Sequence, residues 1–136
     1  SEVVLTIDLP DQPVTVLGDA AQLQQVFTNL IENGIKYGAQ GNKVVVTVAP
    51  HRLIKRLRAQ GTTIMVQDFG DGIASHHITR LTERFYRVDS HRSRQVGGTG
   101  LGLAIVKHIV NRHRGRLAVT SELGAGTIVT VTLPKG

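Results

Sequence analysis

The chain has 136 residues, 40% of them hydrophobic and 19% charged, the make-up of one globular domain rather than a disordered segment. No apolar run approaches ~18 residues, so no membrane-spanning helix is expected. The absence of cysteine removes disulfides and thiolate chemistry and suits a cytosolic setting. A net charge of +6 invites a nucleic-acid reading, but neither basic cluster, residues 51–58 or the scattered Arg80, Arg84, Arg87, Arg92 and Arg94, interleaves with several of the five aromatics as a base-stacking platform requires.

Ser1-Glu2-Val3 carries no basic leader ahead of an apolar stretch; the sequence opens directly in a strand and reads as a domain cut from a longer chain. Residues 3–9 and 14–17 alternate apolar and polar around Pro10-Asp11-Gln12-Pro13, which predicts two short strands and a turn. Asp19 has the character of an N-cap. Behind it Leu23, Val26, Phe27, Leu30, Ile31 and Ile35 recur at helical spacing, predicting an amphipathic helix to about Tyr37, ended by Gly38. Residues 43–49 and 62–68 are β-branched runs joined by a basic loop, His51-Arg52-Leu53-Ile54-Lys55-Arg56-Leu57-Arg58. That loop reads most simply as a solvated hairpin tip, while the second basic cluster suits a surface facing polyphosphate or an acidic partner protein.

A short helix is expected over 75–84 and an irregular polar stretch over 87–100. A second long helix follows from Leu101 to about His113, stopping at Gly115, and residues 117–121 and 127–133 close the chain as a hairpin. Strands outnumber helices and adjacent strands can pair through tight turns. The fold class is therefore α+β: a two-layer α/β sandwich, with a mixed, mainly antiparallel sheet and helices on one face.

Three stretches carry chemistry. In Gly97-Gly98-Thr99-Gly100-Leu101-Gly102 four glycines lie within six residues and lead straight into a helical pattern. Glycine lets the backbone approach a ligand, and a helix start offers unpaired N–H groups and a positive dipole end to phosphate. The alternative is a flexible linker or a tight turn. Asn29 and Asn33 stand one turn apart, with Lys36 and Tyr37 continuing the stripe. An amide oxygen is a good Mg²⁺ ligand beside waters and phosphates, and Lys36 can sit against phosphate as a point charge; otherwise this is a solvated helix face. Asp68-Phe69-Gly70-Asp71-Gly72-Ile73 ends a strand. A carboxylate there accepts the exocyclic amine of adenine and repels the oxygen of guanine; a plain strand-ending turn is the other reading.

In the order 29–37, 68–73, Glu83-Arg84-Phe85-Tyr86-Arg87 and 97–107, these stretches resemble the N, G1, F and G2 boxes of bacterial sensor histidine kinases. Gly124-Ala125-Gly126-Thr127 before the last strand is similar to that family's final hairpin. The resemblance runs from about Val14 to Pro134 and implies the Bergerat-type ATP-binding fold shared by gyrase, heat-shock chaperone, histidine kinase and mismatch-repair ATPases. Phe85-Tyr86-Arg87-Val88-Asp89 and Val106-Lys107-His108-Ile109-Val110 look most like the phosphate-regulon sensor kinase type.

The resemblance implies roles residue by residue. Asn33 matches the Mg²⁺-binding asparagine, with Asn29 supporting metal and triphosphate. Lys36 matches a phosphate contact and Tyr37 an aromatic flanking the nucleotide. Asp68 matches the adenine-binding aspartate, Gly70 and Gly72 its glycines, and Ile73, Phe85 and Thr127 complete the nucleotide-binding set. Residues 85–100 correspond to a mobile lid, and Gly98, Thr99, Gly100, Leu101 and Gly102 to the phosphate-side loop. Arg92 or Arg94 reaches the γ-phosphate on lid closure, and the pattern does not choose between them. Related water-using ATPases place a glutamate general base where Asn29 stands, so its absence implies a phosphotransferase.

The family's phosphoacceptor histidine lies in a preceding helical domain, in a context that none of the six histidines of this chain shares. By resemblance, residues 1–136 are one ATP-binding catalytic domain that takes ATP and Mg²⁺. Its partners are its own dimerisation domain and a response regulator, not nucleic acid. The domain is expected to be cytoplasmic and monomeric, its parent a membrane-anchored homodimer at the bacterial inner membrane. A relative that keeps the fold only as a signalling platform is the alternative.

Overall fold

The computed structural model describes residues 4–9, 18–37, 41, 43–54, 59–78, 80–82 and 102–134. Within them the elements run β1 (Val4–Asp8), α1 (Ala20–Tyr37), β2 (Lys43–Ile54), β3 (Ala59–Asp68), α2 (Ser75–Ile78), α3 (Gly102–Arg112), β4 (Arg116–Glu122) and β5 (Gly126–Pro134). The strands form one sheet in the order β1-β2-β3-β5-β4. β1 lies parallel to β2, and the remaining neighbours are antiparallel.

Residues directly opposite one another share a side of the pleat. Val46 faces Val66 and Val44 faces Asp68, while Ile64 faces Val131 and Asp68 faces Thr127. One side of the sheet is therefore Val44, Val46, Ile64, Val66, Val131 and Leu133, and these are buried against Val26 and Leu30 of α1 and Val106, Ile109 and Val110 of α3. The helices cover that side, as the alternation predicts. Asp68 and Thr127 lie on the same side, at one end of it.

Asp19 caps α1 as expected: its Oδ1 accepts the Gln22 N–H at 3.0 Å and its carbonyl the Leu23 N–H at 2.9 Å. The apolar face centres on Val26 and Leu30, each 1% exposed, and runs on to Gly34. A Cβ on Gly34 would stand 3.2 Å from Val44 Cγ1 and 3.3 Å from Val66 Cγ1, so the missing side chain brings the helix down onto the sheet. Ile35, assigned to this face by periodicity, is 38% exposed. The line through Val26, Leu30 and Gly34 sets the helix's roll and leaves Ile35 at its margin.

Other boundaries shift. β2 and β3 extend into the expected basic loop, with Pro50 opposite Thr62 and Ile54 opposite Ala59 across an irregularity. Among the described residues β1 pairs with β2 only as far as Thr47, short of Pro50. α2 ends at Ile78 rather than 84, and residues 80–82 form a turn. α3 closes in a left-handed cap at Arg114 (φ 59°), with the Arg114 N–H on Asn111 O and the Gly115 N–H on Val110 O. Gly115 is thus not the residue of positive φ; a side chain there would strike the Thr132 carbonyl and Leu133. The strand and turn expected over 10–17 lie outside the described residues.

Candidate functional site

The site begins at the end of β3. Asp68 is 8% exposed, and burial pushes its carboxyl above the usual carboxylate value of 3.8, opposed by hydrogen bonds from the Gly70 and Thr127 backbone. The Gly70 N–H donates to Oδ1 at 3.0 Å, which folds the chain back over the strand end. A carboxylate that is both desolvated and fixed by backbone donors makes Asp68 a candidate binding group.

The turn after it is bolted to the β4–β5 hairpin. The Ile73 N–H donates to Ser121 Oγ at 2.7 Å, Ser121 Oγ donates to the Gly126 carbonyl at 2.9 Å, and Thr127 Oγ1 lies 2.8 Å from the same hydroxyl. At the hairpin tip the Gly124 N–H donates to the Asp71 carbonyl at 2.7 Å. Gly72 (φ 78°) and Gly126 (φ 125°) are required both by conformation and by space: a Cβ on the first would run into the Glu122 carbonyl, on the second into that of Asp68. No sequence motif marks Ser121; its role depends on pairing with Ile73 across 48 residues.

The second part of the site is on α1. Asn29, Asn33 and Lys36 are half-buried. Asn29 Nδ2 is buried with no hydrogen-bond partner among the described residues. Burying an amide unpaired costs about 1–3 kcal/mol, which makes Asn29 a candidate ligand contact. Because the amide's two ends interchange by rotation, the position suits a phosphate oxygen in one orientation and a cation in the other. Gly34, next to Asn33, rests on Val44 and Val66, and Val44 is the register partner of Asp68. That contact brings the carboxamide stripe to the same end of the sheet as the carboxylate.

The start of α3 comes to this end too. α1 and α3 pack together, and the Asp19 N–H, at the start of α1, donates to His113, just past the end of α3. The helices therefore run in opposite directions. The 11 residues of α3 rise about 16 Å, so its first turn comes level with the Asn29 turn of α1. Gly102 opens α3 there, pointing the helix's free N–H groups and positive dipole end the same way.

Of the remaining sequence-assigned residues, Gly70 and Thr127 are buried around Asp68, Gly72 and Ile73 are half-buried in the turn, and Tyr37 is the last residue of α1. Phe85, Arg92, Arg94, Gly98, Thr99, Gly100 and Leu101 lie outside the described residues. Glu32, beside Asn33, is exposed. Among the described residues no group of three His, Cys, Asp or Glu side chains is arranged to hold a metal.

The family model for histidine kinase-, DNA gyrase B- and HSP90-like ATPases matches residues 18–136. Over 130 residues the chain is 44% identical to sensor histidine kinase RppB of Synechocystis sp., covering 96% of this chain and 27% of that protein. It is 44% identical over 117 residues to the phosphate regulon sensor protein PhoR of Pseudomonas aeruginosa, covering 86% and 25%. The chain thus spans about a quarter of the length of these relatives. Among solved structures, the mycobacterial sensor histidine kinase MprB superposes with a TM-score of 0.75 at 28% identity, covering 96% of this chain and 81% of that one. Full-length ShkA in complex with AMPPNP also gives 0.75, at 27% identity, covering 97% and 25%. The chain belongs to the histidine kinase-, DNA gyrase B- and HSP90-like ATPase family, and the relatives it matches are sensor histidine kinases.

Proposed function

We propose that this chain is the ATP-binding catalytic domain of a two-component sensor histidine kinase. It binds Mg·ATP and presents the γ-phosphate to a histidine on a separate helical dimerisation domain, giving phosphohistidine that a response regulator then draws on. The observation that carries this reading is the convergence of a buried, backbone-oriented carboxylate and an unpaired buried carboxamide at one end of the sheet, level with a helix start.

Each residue then has a definite task. Asp68 accepts the exocyclic amine of adenine, while Gly70 and Gly72 let the ring lie against the backbone. Asn33 supplies an amide oxygen to Mg²⁺, and Asn29 satisfies its orphaned amide on the triphosphate. Lys36 adds a cation, and the N–H groups opening α3 face the phosphates. When bound, Mg²⁺ neutralises charge on the triphosphate. Catalysis of this kind is mostly positioning and electrostatics. Asn29, an amide, cannot serve as a general base toward water, which favours transfer to an acceptor over hydrolysis. Arg92 or Arg94 and the 98–102 segment complete the site on the strength of the family pattern alone.

Kinship with sensor kinases supports a membrane-anchored, homodimeric parent at the inner membrane, with this domain on the cytoplasmic side and monomeric by itself. RppB and PhoR match at equal identity, so the phosphate-regulon subtype draws on the motifs and not on similarity. Calorimetry tests the reading: the domain binds Mg·ATP, discriminates against Mg·GTP, and phosphorylates a supplied helical dimerisation domain without phosphorylating itself. Equal affinity for ATP and GTP would remove Asp68 from adenine recognition, and ATP binding without transfer would leave a nucleotide-binding platform.

A further inference from the structure

We infer that His113 is a positioning residue for the triphosphate half of the nucleotide site, clasping together the two helices that frame it. The inference rests on the nucleotide-site reading above and adds to it a residue that no motif marks. His113 Nδ1 lies 2.8 Å from the Ile109 carbonyl, and its Nε2 lies 3.0 Å from the Asp19 amide nitrogen. A carbonyl only accepts and an amide N–H only donates. Nδ1 must therefore carry the proton and Nε2 must be bare, which fixes one neutral tautomer. Through it the imidazole ties the last turn of α3 to the N-cap residue of α1.

Gly18 is shaped to this ring. A Cβ at residue 18 would fall onto Cδ2 and Nε2 of His113, so the backbone ahead of α1 rests on the imidazole itself. Asp19 is held twice: its N–H goes to His113, and its carboxylate caps Gln22. Asn29 lies ten residues farther along the same rod, about 15 Å away, opposite the first turn of α3. A change of tilt or slide at the clasp is carried along both helices to the place where carboxamides and helix N–H groups meet the triphosphate. The adenine end is different. Asp68 stands on β3 and is held by Gly70, Thr127 and, through them, Ser121. The clasp does not reach it.

That separation gives a test that general destabilisation does not imitate. Mg·ATP and adenosine are titrated calorimetrically into the wild-type chain and into His113→Ala, His113→Gln, Gly18→Ala and the Gly18→Ala/His113→Ala double variant. Gly18→Ala breaks the clasp without altering the histidine, which keeps the test open should His113→Ala fail to fold. Both single alanine variants should bind Mg·ATP about fivefold more weakly, the equivalent of one hydrogen bond of ~1 kcal/mol, with adenosine affinity unchanged. The double variant should be no worse than either, since both remove one interaction. His113→Gln, whose Oε1 can accept the Asp19 N–H, should recover most of the loss. In the wild type, the ¹⁵N signals of the ring should show Nδ1 protonated and Nε2 bare. Unchanged Mg·ATP affinity in both alanine variants, an equal loss for adenosine, or a proton on Nε2 would overturn the clasp while leaving the nucleotide site standing. A wild type that binds neither ligand would overturn both.

Discussion

Replacing Asp68 with asparagine is the sharpest perturbation of the adenine end, because it changes charge and donor pattern while keeping shape. Asp68 is 8% exposed and receives backbone hydrogen bonds from Gly70 and Thr127. A carboxylate has lone pairs for both of these and for an incoming adenine amine; an amide has one oxygen and one NH₂. In Asp68→Asn the NH₂ must therefore face a backbone N–H or the amine of adenine, donor against donor. A hydrogen bond to a charged acceptor contributes ~1.5–3 kcal/mol, so ATP affinity should fall about tenfold to a hundredfold. Most of the preference for ATP over GTP should go with it. Apo stability should change far less: deleting a desolvated charge stabilises, and leaving one backbone N–H unmatched costs about as much. Calorimetry with both nucleotides, with thermal unfolding alongside, measures all three quantities. Wild-type ATP affinity in the variant would refute adenine recognition by this carboxylate.

The raised pKa of Asp68 also predicts pH dependence. The native carboxyl holds its proton more tightly than the unfolded chain does, so its contribution to apo stability declines as pH rises from 3.8 toward the folded value. Adenine needs the ionised form, so ATP affinity should fall as pH drops through that same window; flat affinity there would contradict the role. Asn33→Ala should abolish the Mg²⁺ dependence of nucleotide binding while sparing adenosine, as read by titration with and without the metal. In Gly34→Ala, a helix-propensity gain of ~1 kcal/mol competes with overpacking of about 1–3 kcal/mol against Val44 and Val66. Net destabilisation in denaturant unfolding is expected, and stabilisation would show that α1 can lift freely. Arg114→Gly should stabilise by up to about 1 kcal/mol, because a non-glycine residue at φ 59° pays ~1–2 kcal/mol and glycine returns part of that as unfolded-state entropy.

What was legible in the sequence divides along physical lines. α1 could be read because its periodicity and its Asp19 cap are local, and the sheet because its strands alternate and their turns carry glycine. Asp68 and the Asn29–Asn33 stripe were singled out because their spacing matches a family pattern. Strand ends could not: β2 runs on through Pro50, opposite Thr62, beyond the β-branched run that marks it in the sequence. Ile35 looked buried because periodicity gives a stripe but not its centre, and here Gly34 sets the roll of the helix. Ser121 and His113 were invisible for a related reason. Their partners are 48 and 94 residues away, and a lone serine or histidine looks the same whether solvated or holding a fold together.

A single cleft joining the strand-end carboxylate to the carboxamide stripe is tested most directly by amide chemical-shift mapping with Mg·AMPPNP. Amides of 29–36, 68–73, 102–104 and 121–127 should shift together and saturate with one affinity, while those of β1 stay in place. Shifts confined to one of these segments, or centred on β1, would show that Asp68 and Asn33 do not serve one ligand.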